Sequence, residues 1–208
     1  MGSADLNHFA ELQLDVLKEV GNIGAGSAAT ALSHLLGKPV DMRVPSVYLL
    51  PFEEIVDLLG GAEQIVTAVF LRTQGQAPGM MFWILKQESA ARLLAALFPE
   101  AGGAGNGYTE LELSALSEIG NILTGSYLSA MADLTKLDMQ PTVPSVTSDM
   151  LGAVISVGMI QYGIMGDKAL FIDTQFSAGG DSFECQLFLA PDPESFGPLF
   201  QALGVPLA

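Results

Sequence analysis

Apolar residues recur at helical spacing near the start of the chain, at Leu12, Val16, Val20 and Ile23. About a hundred residues later Leu113, Leu116 and Leu123 repeat the pattern, with Gly120 between them. Positions four, eight and eleven residues on share one side of a helix, so two long helices are predicted, Leu12–Leu36 and Leu111–Leu137. Pro45 and Pro144 then open extended segments, Val47–Leu50 and the stretch around Val146. Runs rich in Val, Phe, Met and Ile at Gln64–Arg72, Gly79–Leu85, Lys168–Phe176 and Phe183–Leu189 read as strands. The turn Ser177–Asp181 joins the last two. Short helices are expected at Pro51–Leu59, Glu88–Phe98, Asp149–Ile160 and Pro193–Leu203.

The order α-β-α-β-β-α therefore occurs twice, and the sequence repeats with it. Leu12–Val47 aligns without gaps on Leu111–Val146 at an offset of 99, with 15 of 36 positions identical. A period that long marks a duplicated half-domain, since solenoid repeats run to about 50 residues. The glycine-rich stretch Pro99–Gly107 carries no hydrophobic pattern and reads as a linker. Each half alone buries too little to stand by itself. The expected fold is mixed α/β, a single domain over 1–208 made of repeats at about 8–100 and 108–208. The halves should share one sheet flanked by helices, related by a pseudo-two-fold axis, with the two long helices side by side.

Composition narrows the function. Of 208 residues 50% are hydrophobic and 15% charged, enough for a packed core. Eight basic residues against 23 acidic ones leave a net charge of −15, which repels phosphate backbones and argues against nucleic-acid partners. Mean hydropathy is +0.42, yet the longest uncharged run, Met150–Gly166, contains four glycines and is too short to span a bilayer. The opening residues lack the basic and apolar regions of a secretory leader, so a cytoplasmic protein without membrane insertion is expected. One cysteine and two histidines exclude an internal disulfide and a structural zinc cage. Cys185 reads as a small core residue, Trp83 as core and His34 as surface.

The polar residues that both copies retain are the informative ones. Glu19 and Asn22 stand one helical turn apart, with Asp15 a turn earlier on the same face. Ser114, Glu118 and Asn121 occupy the same places in the second copy. Asn is a poor helix former, and the adjoining Gly21 and Gly120 each cost about 1 kcal/mol relative to Ala, so retention of the set points to contact with another surface. Nearby polar positions differ between the copies, as at Lys18 and Ser117 or His34 and Asp133. The copies also diverge at Ala25 and Thr124, and at Ala28 and Tyr127, where the Tyr could pack against or hinder a partner. Gly21-x-x-Gly24-x-Gly26 follows a helix instead of a strand and loses its middle glycine in the second copy, which counts against a nucleotide loop. Ser27 and Ser126 lack the surroundings of a nucleophile.

The pattern Asp/Ser-x3-Glu-x2-Asn-x22-Pro is met by Asp15, Glu19, Asn22 and Pro45, and again by Ser114, Glu118, Asn121 and Pro144. It resembles the signature of the CheC/CheX/FliY phosphatases of bacterial and archaeal chemotaxis, over essentially the whole chain. The flagellar-switch protein FliM is similar in fold but lacks the Glu/Asn pairs. The resemblance implies a substrate, the phosphorylated CheY-type response regulator, and a second partner, the receptor deamidase CheD. CheD would meet a helix beginning near Asp149, on Met150, Leu151 and Val154. It also implies catalytic Glu19, Asn22, Glu118 and Asn121, with Asp15, Ser114, Pro45 and Pro144 supporting the motif. A neutral amide can hold the attacking water with one donor and one acceptor, where a carboxylate would repel the phosphoryl group. The Glu would pair with the regulator's Lys and fix the docking register. No cofactor is expected on this chain, which should be a monomer, the Mg²⁺ being supplied by the regulator. The competing expectation is a non-catalytic adaptor that binds phosphorylated regulator and CheD.

Overall fold

The computed structural model describes residues 11–98, 107–162, 168–178 and 181–202. The first repeat folds as α1 (Glu11–Leu36), β1 (Val40–Pro51), α2 (Phe52–Leu58), β2 (Ile65–Gly75), β3 (Gly79–Lys86) and α3 (Gln87–Leu97). The second supplies α4 (Glu110–Thr135), β4 (Met139–Pro141), β5 (Ser145–Met150), α5 (Leu151–Tyr162), β6 (Lys168–Ala178), β7 (Asp181–Pro191) and α6 (Pro193–Ala202). The expected linker lies, except for Gly107, outside the described residues, as does the middle of the turn between β6 and β7. α4 starts on a capping box, with Glu112 N–H donating to Thr109 Oγ1 and Thr109 N–H donating back to Glu112 Oε2.

Seven strands form one antiparallel sheet in the order β1-β6-β7-β3-β2-β4, with β5 also paired to β2. The halves interlock in it. β1 of the first repeat pairs with β6 of the second, and β4 and β5 pair with β2, while β3 and β7 meet at the centre. Separating the halves would strand backbone donors and acceptors along four ladders. The mixed α/β fold with a shared, helix-flanked sheet is the one the repeat implies.

Each face of the sheet is covered. α1, α3 and α4 press Leu17, Val20, Leu32, Leu93, Leu116, Ile119 and Leu123 onto one face, around the fully buried Trp83. α2 and α5 cover the other with Phe52, Ile55, Leu151, Val154 and Ile155. The buried stripe of α1 differs from the one its leading residues suggest: Ile23 is 52% exposed, and the core side runs through Leu17, Ala25, Ala28 and Leu32. Small Ala residues serve there because α4 crosses closely, a Cβ on Gly24 meeting the Tyr127 Cα at 3.0 Å.

Two further expectations change. The bare backbone at Gly21 and Gly120 admits the protein's own sheet: a Cβ there would meet Val44 at 3.3 Å and Val69 at 2.4 Å. Tyr127 is buried, stacked edge-on against Trp83 at 5.4 Å, so it belongs to the core rather than to a partner surface. Burial pushes its phenol pKa up, against the opposing hydrogen bond with Thr174. Cys185 is buried in β7 and its thiol is likewise raised by burial, which keeps it an unreactive core residue.

Candidate functional site

Glu19 and Glu118 project from α1 and α4 into solvent, and neither forms an ion pair among the described residues. Asp15 and Ser114, a turn earlier, are exposed as well. The structure thus brings Asp15, Glu19 and Asn22 together on one accessible helix face and Ser114, Glu118 and Asn121 on another. Exposed Ile23 and half-buried Ile122 adjoin the two asparagines. A shallow recess beside the first motif is lined by Asp15, Lys18, Pro45 and Tyr48.

The two asparagines differ in how the chain holds them. Val44 N–H donates to Asn22 Oδ1 at 3.0 Å, and Asn22 Nδ2 donates to the Val44 carbonyl at 3.4 Å and to the Lys18 carbonyl at 3.0 Å. Pro45 explains why Val44 is available. β1 pairs Arg43 with Gln175 and Ser46 with Asp173, so Val44 and Pro45 together oppose the single residue Thr174 in a bulge. Pro45 has no N–H for the ladder, and the bulge leaves the Val44 amide and carbonyl to the side chain of α1. The carboxamide stands in for a neighbouring strand at this point of the sheet edge.

The second copy departs from this arrangement. Between β4 and β5 the chain leaves the ladder at residues 142–144, and Thr142 is tied to Arg72 through both its N–H and its hydroxyl. Val143, the counterpart of Val44, is 87% exposed. Asn121 is exposed and makes no hydrogen bond among the described residues, so its amide keeps both a donor and an acceptor for another molecule. Pro144 ends the excursion and is half-buried. The Val44 contact was invisible in the sequence, because Val44 and Val143 are the same residue and only the strand geometry separates them.

Asp149 lies in β5 rather than on a helix, opposite Val66, and its carboxylate accepts from Met150 N–H at 2.7 Å. The helix starts at Leu151, two residues later than expected. Leu151 and Val154 are 0% and 4% exposed and face the core, so they offer nothing to a partner. What remains accessible is Asp149 with Met150 and its strand neighbour Ile65, 45% and 38% exposed.

No group of His, Cys, Asp and Glu suited to a metal ion occurs among the described residues, and no described helix is long and apolar enough to cross a membrane.

Comparison with known proteins identifies the family and the fold. The sequence pattern of the CheC-like family matches residues 12–49 and 111–148, the two segments that carry the Glu/Asn motifs. The CheY-P phosphatase CheC of Bacillus subtilis is 43% identical over 205 residues, covering 97% of this chain and 98% of that protein. The flagellar motor switch phosphatase FliY of the same organism is 33% identical over 140 residues, 66% of this chain and 36% of the longer protein. Among solved structures, Thermotoga maritima FliY superposes with a TM-score of 0.77 over 95% of this chain and 98% of that one, at 17% identity, a likeness of fold. The chain belongs to the CheC-like family.

Proposed function

We propose that this chain is a phosphatase that removes the aspartyl phosphate of a CheY-type response regulator. The observation that carries the reading is the pair of exposed helix faces, each presenting a Glu and an Asn one turn apart, with the Asn121 amide unengaged among the described residues. The relative named as a CheY-P phosphatase and the one named as a flagellar motor switch phosphatase support the reaction class. In this mechanism Glu118 binds the regulator's lysine and sets the register, and the Asn121 carboxamide holds a water in line with the phosphorus–oxygen bond. The water oxygen bonds to phosphorus, the bond to the regulator's aspartate breaks, and inorganic phosphate leaves. Mg²⁺ bound by the regulator neutralises the developing charge, and this chain contributes no cofactor.

Glu19 and Asn22 form the first site. Asn22 must release Val44 before its amide can hold water, so this site docks more readily than it hydrolyses. That engagement gives the adaptor reading its one foothold, confined to the first motif. Asp15, Ser114, Pro45 and Pro144 shape the two faces. The protein works in the cytoplasm as a monomer, its two repeats acting as one domain, and binds CheD through the surface around Asp149. The test is loss of labelled phosphate from a phosphorylated CheY-type regulator: acceleration at substoichiometric amounts of this chain supports a phosphatase, and binding without acceleration leaves an adaptor.

A further inference from the structure

The strand residues that follow each motif helix turn opposite ways in the two copies. Arg43 and Val44 of the first repeat align on Thr142 and Val143 of the second. In β1, Arg43 is exposed and Val44 is 2% exposed, packed under Gly21, where a Cβ would meet it at 3.3 Å. In the second copy the alternation is reversed: Thr142 is half-buried and Val143 is 87% exposed. Successive side chains of a strand point to opposite faces, so turning one residue inward sends its neighbour out.

The register is the same in both copies, and the fastening is what differs. Pro141 pairs with Thr73 and Ser145 with Phe70, so with Thr142 opposite Arg72 the residues Val143 and Pro144 share the single partner Leu71, as Val44 and Pro45 share Thr174. Thr142 N–H donates to the Arg72 carbonyl at 2.8 Å, as a ladder requires. The Arg72 N–H, however, donates to the Thr142 hydroxyl at 3.0 Å, where a ladder would use the Thr142 carbonyl. A Thr side chain that takes over the acceptor role of its own backbone holds that residue turned inward. Its anchor is fixed in turn, because the Arg72 guanidinium pairs with Asp192 just beyond β7. Arg43 has no acceptor to offer: its Nε and Nη2 donate outward to Gln175 Oε1 at 3.2 and 2.9 Å.

We propose that Thr142 is the positioning residue of the second site. Its hydroxyl keeps Val143 outward and so withholds from Asn121 the backbone N–H and carbonyl that engage Asn22 in the first copy. The difference between Arg43 and Thr142 thus decides which asparagine is held and which is left open to another molecule. The consequence for hydrolysis rests on the phosphatase reading above, whereas the state of Asn121 is readable in the free chain.

The experiment records the side-chain amide signals of Asn22 and Asn121 by NMR in the full chain, for the parent, Thr142→Val, Thr142→Arg and Thr142→Ser. Phosphate loss from a phosphorylated CheY-type regulator is then measured with each. Thr142→Val removes the hydroxyl at nearly constant volume, and Thr142→Arg copies the first repeat. In both, the Arg72 N–H turns to the carbonyl of residue 142 and Val143 swings inward. The Asn121 signals should move toward those of Asn22, with exchange of the amide protons slowed at least about tenfold. kcat should fall at least about tenfold with little change in KM, because Glu118 still docks, and adding Asn121→Ala should cost little more. Thr142→Ser keeps the hydroxyl and should match the parent in both measurements. Unmoved Asn22 signals report an intact fold, and should one of the two variants fail to fold, the other carries the comparison. Unchanged Asn121 signals in Thr142→Val and Thr142→Arg, or a Thr142→Ser chain that behaves as they do, would overturn the proposal. A parent that accelerates nothing would remove the phosphatase reading, and the NMR comparison would still decide the role of Thr142.

Discussion

The Asn22 carboxamide and the Val44 backbone bond to each other twice, once in each direction, whereas Asn121 at the matching place in the repeat has no such partner among the described residues. Two residues of the same type at equivalent positions therefore carry different loads. Asn22→Ala strands a partly buried N–H and C=O at the sheet edge, and should lower unfolding free energy by about 1–2 kcal/mol. Asn121→Ala removes no internal bond and replaces a poor helix former, so stability should hold or rise by up to about 0.7 kcal/mol. Urea denaturation of the two single variants measures the split. Equal losses would mean the Val44 contact contributes nothing.

The glycines of the repeat should also respond with opposite signs. A Cβ on Gly120 would stand 2.4 Å from Val69 Cγ1 in the packed core, so Gly120→Ala should cost about 1–3 kcal/mol. A Cβ on Gly125 meets nothing within 4 Å, and Gly125→Ala in the same helix should gain up to about 1 kcal/mol. Thermal denaturation distinguishes the pair.

Much of this was legible in the sequence, for specific reasons. The gapless repeat fixed the pairing of α1 with α4 and the exposure of Glu19 and Glu118. Strand runs such as Gly79–Leu85 are apolar throughout because both sheet faces are covered, and they stood out against their flanks. What was not legible depended on three-dimensional neighbours. The crossing of α1 over α4 at Gly24 rotates α1 so that Ala25 and Ala28 are inside and Ile23 is outside, which helical spacing of large apolar residues cannot reveal. The late start of α5 arises because Ser145–Met150 completes a ladder with β2, and that pairing joins residues about eighty positions apart.

If the glutamates dock on a lysine of the regulator, charge reversal should damage recognition before chemistry. Glu118→Lys is expected to weaken binding of the phosphorylated regulator, like charges in an interface costing several kcal/mol. Glu19→Lys should do the same at the first site. Affinities measured at low and moderate salt check this, and unchanged binding in both variants would remove the docking role.

The surface around Asp149 should be separable from catalysis. Asp149→Lys places a cation beside exposed Met150 and Ile65 and is expected to abolish capture of CheD while phosphate release from the regulator continues at the parental rate. Retention of CheD by that variant would move the interface to another element.

The most direct measurement is the rate of phosphate loss from a phosphorylated CheY-type regulator with the parent chain, Asn22→Ala, Asn121→Ala and the double variant. Losing a group that acts in the transition state costs about 10²–10³ in rate. Asn121→Ala should therefore remove most of the acceleration and Asn22→Ala little of it, with the double variant at the uncatalysed rate while still binding the regulator. A double variant that accelerates hydrolysis as the parent does would contradict the carboxamide mechanism.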